Sequence, residues 1–410
     1  MRLVTDSDTV RRQNRGLVFS ALRTAGPLTR TQLAAETGLS NASITAITQD
    51  MLGQALLTDV PDEPSAELRL RGRPAVRIGL NRHAAALALI EIDVNRARFS
   101  LVDYGGTLID RIETNLIPGF FIQTAPLGFI EERLATLGQR NPLEFAMLRR
   151  IAISVQGILD REGDGLTWSP VAGLAGHDIA PPLTERFGVP VVLNKRGRLL
   201  AEGTRWLDPD LRDARLITIF VGSTVAMGMS ASGPVLGRGE DGATEFGHMN
   251  HVPNGALCRC GTRGCIEAYA ADYGVLRTAY SVPEHTAPAA QVPAAAYEDL
   301  IRRAQQGDRT ATQAFNLAGR AIGYGIARLL AVSDPSHVII VGPGARALGL
   351  MRPEIDAALA ASFVCRVNGT PEVRALRDES EPIFMGLMME ALVDLDQTDF
   401  APLAAVSARA

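Results

Sequence analysis

Apolar residues recur at three- and four-residue steps through residues 15–57, a spacing that predicts helices. The first helix stops at Gly26 and Pro27, and Thr29 can cap a short second helix. Residues 38–40 form a tight turn, after which Ser40 or Asn41 can cap a third helix. The apolar stripe of that third helix consists of Ile44, Ile47 and Met51. Two helices joined by a short turn that contains glycine predict a helix-turn-helix.

The third helix carries polar side chains on the side away from its apolar stripe. In a helix-turn-helix protein, the second helix of the motif enters the major groove of DNA with its N-terminal, polar side. That comparison makes five residues candidate DNA contacts. They are Asn41, Ser43, Thr45, Thr48 and Gln49.

The stretch after the third helix predicts two short strands around a loop, which together form a wing. Its second strand region, LRLRGRPAVRIGL, is rich in arginine, and Arg71 and Arg73 are the candidate phosphate contacts. Residues 1–80 contain ten Arg against eight Asp plus Glu, a charge of +2, whereas the whole chain carries −4. The basic residues therefore lie where DNA contacts are expected. The alternative is a small helical domain with a solvated basic hairpin.

From residue 84 onward the pattern changes to short apolar strands separated by glycine turns and helical stretches. Three strands are predicted in AAALALIEIDVNRARFSLVDYGGTLIDRIE, and others in RRIAISVQGILD, VPVVLN, RLITIFVGSTVAMGMSASGPVLG and SHVIIVGPG. Strand-rich regions with interspersed helices indicate an α/β fold in two lobes.

Composition agrees with a globular protein of two or three domains: 410 residues, 46% hydrophobic and 21% charged. No apolar run is long enough to predict a membrane span, and the N-terminus has no apolar signal core. We therefore expect a cytoplasmic protein without a membrane partner. The chain has four cysteines, too few and too clustered for a disulfide framework.

Three of the four cysteines lie in the octapeptide CRCGTRGC, as Cys258, Cys260 and Cys265. The glycines between them allow the tight turns that bring three sulfurs together. Zinc prefers four ligands in a tetrahedron, and either His248 or His251 of the nearby EFGHMNH can complete the set. The spacing predicts a structural zinc site. The alternative is a group of reduced, buried thiols.

Taken together, these motifs resemble the ROK family of sugar-responsive repressors and sugar kinases. The resemblance rests on a winged helix-turn-helix, a pair of actin/hexokinase-like lobes, and Glu-x-Gly-His followed by Cys-x-Cys-Gly-x-x-Gly-Cys-x-Glu. It implies an α/β fold with a structural zinc loop. The implied zinc ligands are His248, Cys258, Cys260 and Cys265. The implied sugar contacts are Asn194, Glu245, His248 and Glu267.

The kinase features of the family are altered in this chain. The first phosphate hairpin, Asp-x-Gly-Gly-Thr in the family's kinases, is here residues 93–97, DVNRA. The second loop, residues 222–228, reads GSTVAMG and lacks the inner glycines. The kinases' catalytic aspartate follows an asparagine, and here Lys195, the only lysine of the chain, follows Asn194. A protonated lysine accepts no proton, so the general base is missing. Lys195 can instead pair with a carboxylate or contact an acidic sugar.

We therefore expect a sugar-responsive repressor that is not an enzyme. Its expected domains are a DNA-binding domain (1–80), a small lobe (81–195, completed by 381–410) and a large lobe (196–380) with the zinc loop and oligomer contacts. A homodimer or homotetramer would bind a pseudo-palindromic operator. The alternatives are a repressor controlled by a protein partner and a residual sugar kinase.

Overall fold

The computed structural model describes residues 7–61, 76–231, 235 and 245–400. The predicted wing contacts Arg71 and Arg73 lie outside the described residues, as does the end of the predicted C-terminal segment 381–410.

Three helices and a small antiparallel sheet form the N-terminal region. The helices are α1 (Ser7–Ala25), α2 (Arg30–Thr37) and α3 (Asn41–Gly53). The sheet has the spatial order β1-β3-β2, with β1 (Leu28–Thr29), β2 (Leu57–Val60) and β3 (Arg77–Leu80). The cap predicted at Thr29 is confirmed, and of the two candidates for α3 the cap is Ser40, whose hydroxyl accepts from the backbone N–H of Ser43. Thr29 forms a capping box with Gln32.

The prediction that Thr48 contacts DNA is wrong, because Thr48 is fully buried. It lies four residues after Ile44 and three before Met51, so it belongs to the apolar stripe of α3. Its hydroxyl donates to the carbonyl of Ile44 at 2.8 Å and accepts from Arg30 Nε at 3.0 Å. Thr48 therefore holds α2 against α3 and is not available to a ligand.

A five-stranded sheet, the first sheet, forms the next part of the chain in the order β10-β7-β4-β5-β6. Strands β4, β7 and β10 are parallel, whereas β4, β5 and β6 form an antiparallel meander. The strands are β4 (Ala86–Ile92), β5 (Arg96–Asp103), β6 (Leu108–Asn115), β7 (Leu148–Val155) and β10 (Val191–Lys195). A hairpin follows β7, formed by β8 (Ile158–Leu159) and β9 (Leu166–Trp168). The accompanying helices are α4 (Phe120–Gln123), α5 (Pro126–Arg140), α6 (Pro142–Phe145) and α7 (Ala180–Phe187).

A four-stranded sheet, the second sheet, has the order β12-β11-β13-β14. Its strands are β11 (Arg215–Val221), β12 (Val225–Ala231), β13 (His337–Val341) and β14 (Glu372–Leu376). The remaining helices are α8 (Arg196–Leu207), α9 (Glu267–Ala270), α10 (Asp272–Ala279), α11 (Ala294–Gln305), α12 (Arg309–Leu329), α13 (Leu348–Ala361), α14 (Phe363–Asn368) and α15 (Ser380–Thr398). Among the described residues, no helix has the length and apolar character needed to cross a membrane.

Helices α8 and α15 pack backbone against backbone. A Cβ added at Gly203 would lie 1.8 Å from the carbonyl oxygen of Pro382, and one at Gly386 would lie 2.0 Å from that of Leu199. Any larger residue at either glycine would therefore force the two helices apart. Because α8 begins directly after β10, this contact joins the end of the first sheet to the C-terminal helix.

The N-terminal helices share a hydrophobic core with α15 and the first sheet. Phe19 of α1 packs edge-to-face on Tyr104, with ring centroids 6.2 Å apart. Arg23 of α1 forms two hydrogen bonds of 2.8 Å with the carboxylate of Asp396 in α15. The hydroxyl of Tyr104 donates to the same carboxylate. The helical N-terminal region is thus anchored to α15 by a buried ion pair.

Candidate metal centre and ligand cleft

Four side chains with metal-ligating atoms converge beside the second sheet. The ligand atoms of His248, Cys258, Cys260 and Cys265 all lie within 4.8 Å of one another. His251, the other candidate of the sequence analysis, is not a member of this group. The loop turns tightly at Gly264, whose φ is +84° and whose added Cβ would lie 1.8 Å from the carbonyl oxygen of Val252. A glycine is therefore required at that position.

The spacing of these atoms fits a tetrahedral metal. Two thiolates bound to zinc at about 2.3 Å lie about 3.8 Å apart in a tetrahedron. The Sγ atoms of Cys260 and Cys265 are 3.7 Å apart, and Cys258 Sγ lies 3.7 Å from His248 Nδ1. Three sulfurs and one imidazole form one of the usual donor sets of structural zinc. The cluster can therefore hold a metal with little rearrangement.

Hydrogen bonds within the cluster change the pKa of its members in opposite directions. The contact with Cys258 raises the pKa of His248, and the contact with Cys265 and burial together raise the pKa of Cys258. The same contact with Cys258 lowers the pKa of Cys265. One thiolate thus lies among protonated neighbours, and those protons are the ones that metal binding displaces.

Glu267 connects the cluster to the second sheet. It is 1% exposed, and burial raises the pKa of its carboxyl group. One carboxylate oxygen accepts from the backbone N–H of Val225 at 3.1 Å, and the other accepts from Cys258 and from Tyr273. Glu267 is therefore fixed by three partners around the metal-ligating group.

A cleft with about 500 Å³ of empty space lies between the metal-ligating group and the carboxyl ends of β7 and β10. Ligands of α/β proteins commonly bind at the carboxyl ends of parallel strands. The polar and aromatic residues that line the cleft are Gln156, Trp168, Lys195, Arg196, Glu245, His248 and Glu267. A cleft of this size is suited to a small polar molecule.

Lys195 forms an ion pair with Glu245 across the cleft. Its Nζ donates to Glu245 Oε1, and both side chains are partly exposed. Of the two possibilities left open by the sequence, the structure contains the pair with a carboxylate. Lys195 thus occupies one oxygen of a predicted sugar contact.

Arg196, the residue after Lys195, bridges segments from three parts of the chain. Its guanidinium lies 3.4 Å from Asp93, 3.8 Å from Glu379 and 5.3 Å from the centre of the Phe220 ring. Asp93 belongs to the turn between β4 and β5 that corresponds to the first phosphate hairpin of the family's kinases. A buried arginine therefore lies against that turn.

The predicted sugar contacts are only partly brought together. Glu245, His248 and Glu267 line the cleft, whereas Asn194 does not and is half-buried beside it. Alternate residues of a strand point to opposite sides, so the choice between Asn194 and Lys195 depends on how β10 is oriented. The role of these four residues stays a prediction.

Two cleft residues were missed by the sequence analysis. Gln156 follows the buried strand β7, and a polar residue at the carboxyl end of a buried strand is a signal that could have identified it. Trp168 lies in a short hairpin whose pairing no periodicity predicts. On α3, Asn41, Thr45 and Gln49 are exposed and Ser43 is half-buried, with Ser43 bonded to the cap residue Ser40.

The chain belongs to the ROK family, whose model matches residues 121–382. It is 24% identical over 364 residues to an N-acetylglucosamine repressor of Escherichia coli O6:H1, covering 86% of each protein. It is 27% identical over 303 residues to a glucokinase of Thermotoga maritima, covering 70% of this chain and 92% of the glucokinase. A crystal structure of a ROK family transcriptional regulator, described as a homologue of the E. coli MLC protein, superposes with a TM-score of 0.71. That match has 21% identity and covers 94% of this chain and 99% of the other.

Proposed function

We propose that this protein is a cytoplasmic, sugar-responsive transcriptional repressor whose kinase-like cleft binds a sugar without phosphorylating it. The observation that carries the proposal is the Lys195–Glu245 ion pair, in a chain that also has a helix-turn-helix arrangement at its N-terminus. A sugar kinase needs a general base at the position of Lys195. A repressor needs only a cleft that distinguishes bound from free.

The DNA-binding domain of this proposal is a winged helix-turn-helix in residues 1–80. Helix α3 presents Asn41, Thr45 and Gln49 on its exposed face, with Ser43 beside them. Since side chains of such a helix read base edges in the major groove, these four are the proposed sequence-reading residues. Arg71 and Arg73 remain the proposed phosphate contacts of the wing. A homodimer or homotetramer would present two such domains to a pseudo-palindromic operator.

The absence of phosphorylation is supported by two neighbouring residues. Lys195 is engaged with Glu245, and Arg196 lies against Asp93 in the turn where a kinase would hold phosphate. That turn and residues 222–228 also carry side chains where the family's kinases have glycines. Because backbone must approach a triphosphate closely, these side chains reduce the space for it.

The sugar site of the proposal consists of Glu245, His248, Glu267 and Asn194. Carboxylate and amide oxygens accept hydrogen bonds from neighbouring hydroxyls. A structural zinc held by His248 and the three cysteines would fix the positions of Glu245 and Glu267. The proposed domains are the DNA-binding domain, a small lobe of residues 81–195 completed by 381–410, and a large lobe of residues 196–380.

The test is a DNA-binding measurement on the whole protein. A preferred DNA site is first selected from a pool of random duplexes. Its affinity is then measured with and without glucose, xylose or N-acetylglucosamine, each in the presence and absence of ATP. We expect one sugar to change the affinity about 5- to 150-fold without ATP, the usual range of allosteric coupling.

Two variants separate the cleft from the rest of the protein. Glu245→Ala should bind the DNA site normally but lose the sugar response. Glu298→Ala, which removes a carboxylate of the surface pair with Arg346, should respond like the wild type. A response that requires ATP, or recovery of a phosphorylated sugar, would instead identify a residual kinase. No response to any sugar would favour control by a protein partner.

A further inference from the structure

A buried amide in the cleft has an unmet hydrogen-bonding capacity. Gln156 is 5% exposed and lines the cleft, and within the described part of the chain its Oε1 has no hydrogen-bond partner. Leaving a buried polar atom without a partner costs about 1–3 kcal/mol, and folded proteins seldom do so. The position of this atom at a cleft wall indicates that a ligand supplies the partner.

Neighbouring backbone contacts hold Gln156 in place. It follows Val155, the last residue of β7, which is paired in register with Lys195 of β10. The hydroxyl of Ser169 donates to the Gln156 carbonyl at 2.7 Å. At the next residue, Gly157, an added Cβ would lie 2.1 Å from the carbonyl oxygen of Trp168. Gln156 and Trp168 are therefore adjacent parts of one rigid wall.

Trp168 gives this wall an aromatic surface. Its side chain lines the cleft, is only partly buried, and meets the ring of His248 edge-to-face with centroids 5.5 Å apart. An indole packs well on the apolar C–H face of a sugar ring, whose hydroxyls then point outward to polar groups. The opposite side of the cleft offers such groups in Glu245 and Lys195.

We propose that Gln156 and Trp168 select the effector, which is a monosaccharide whose apolar ring face packs on Trp168 and whose hydroxyl bonds to the Gln156 amide. The hydroxyl suits this amide because it both donates and accepts, so it can satisfy either end of the side chain. This inference rests on the proposed sugar-responsive function and adds two residues to the sugar site.

The first measurement uses tryptophan fluorescence. The chain has two tryptophans, and the second, Trp206, is hydrogen-bonded to Glu202 in α8 and does not line the cleft. In the variant Trp206→Phe, all tryptophan emission comes from Trp168. Titration with glucose, xylose and N-acetylglucosamine should change that emission for the sugar that also changes DNA affinity, and for no other.

The second measurement uses Gln156→Met and Gln156→Glu, which keep the length of the side chain. Loss of one buried hydrogen bond should weaken sugar binding about tenfold in Gln156→Met, while Gln156→Glu, which keeps an acceptor, should recover part of the affinity. Monodeoxy forms of the active sugar then identify the hydroxyl. One of them should bind the wild type about tenfold more weakly yet bind Gln156→Met as well as the parent sugar does.

Metal content and sugar-free DNA affinity should be unchanged in both Gln156 variants, which separates a sugar contact from a folding defect. Equal sugar affinity in the wild type and Gln156→Met, or a Trp168 emission that does not respond to the active sugar, would overturn this inference and leave the proposed function standing. If no sugar changes either DNA affinity or emission, the proposed function fails, and the inference fails with it.

Discussion

Two ion pairs lie at opposite ends of the packed helices α8 and α15, and they differ in burial. The Lys195–Glu245 pair at the start of α8 has side chains that are 21% and 34% exposed. The Arg23–Asp396 pair near the end of α15 has side chains that are 3% and 4% exposed. A partly hydrated pair can exchange one partner for a ligand at low cost, whereas a buried pair cannot. The cleft pair is therefore suited to switching, and the α15 pair is suited to anchoring.

The anchor is also supported by more neighbours. Tyr104 donates its hydroxyl to Asp396, and the Arg23 guanidinium lies 4.7 Å from the centre of the Tyr104 ring. Burial and the nearby carboxylate raise the pKa of Tyr104, so its hydroxyl remains a donor at physiological pH. The contrast indicates that α8 and α15 transmit a change at the cleft to a rigidly held N-terminal region.

The largest expected effect comes from removing the metal side of the cleft. Cys258→Ser should reduce bound metal from one ion per chain to none, because a ligand of a four-coordinate site is lost. Amide hydrogen exchange should then accelerate in residues 246–270, while α1 and α15 keep their protection. Elemental analysis and exchange mass spectrometry measure the two effects. Cys365→Ser, at a buried cysteine outside the cluster, is the control and should retain the metal.

The next effect concerns the anchor. Asp396→Asn keeps the shape of the side chain but leaves Arg23 buried without a counter-charge, which should lower the free energy of unfolding by about 3–5 kcal/mol. Urea denaturation measures the change. Glu354→Gln breaks the more exposed pair with Arg320 and should cost less than about 1 kcal/mol. Similar losses in the two variants would remove the distinction between anchor and surface pair.

A smaller effect separates two adjacent residues of α3. Gln49→Ala should leave stability within about 0.5 kcal/mol, because Gln49 is exposed, but should relax base preference by about 1–3 kcal/mol at one position of the DNA site. Thr48→Ala should do the reverse, since Thr48 is buried and bonded to Arg30. Binding to a set of single-base variants of the site, together with thermal unfolding, measures both. An unchanged base preference in Gln49→Ala would exclude this residue from sequence reading.

The smallest expected change in stability is at the cleft pair itself. Lys195→Met should alter the free energy of unfolding by less than about 1 kcal/mol, since both partners are partly exposed. Urea denaturation alongside Asp396→Asn makes the comparison direct. A loss as large as that of Asp396→Asn would mean that the cleft pair holds the fold together and cannot act as a switch.

Local rules explain why the metal-ligating group and the helix caps could be predicted. The Cys-x-Cys-x4-Cys spacing places three sulfurs within one tight loop, so no distant contact is needed to bring them together. In the same way, Thr29 and Ser40 cap helices that begin at the next residue. The orientation of Thr48 could also have been predicted, because the helical repeat places it between Ile44 and Met51 on the buried side.

The sequence by itself determined the ROK family, the strand order along the chain, the helix boundaries near the N-terminus and the ligands of the candidate metal centre. Only the tertiary structure decided that Lys195 and not Asn194 lines the cleft, that Gln156 meets Trp168 there, and that Arg23 pairs with Asp396 from 373 residues away. The physical reason is range. Spacing and capping depend on neighbours along the chain, whereas these contacts exist only after separate sheets and helices have packed together.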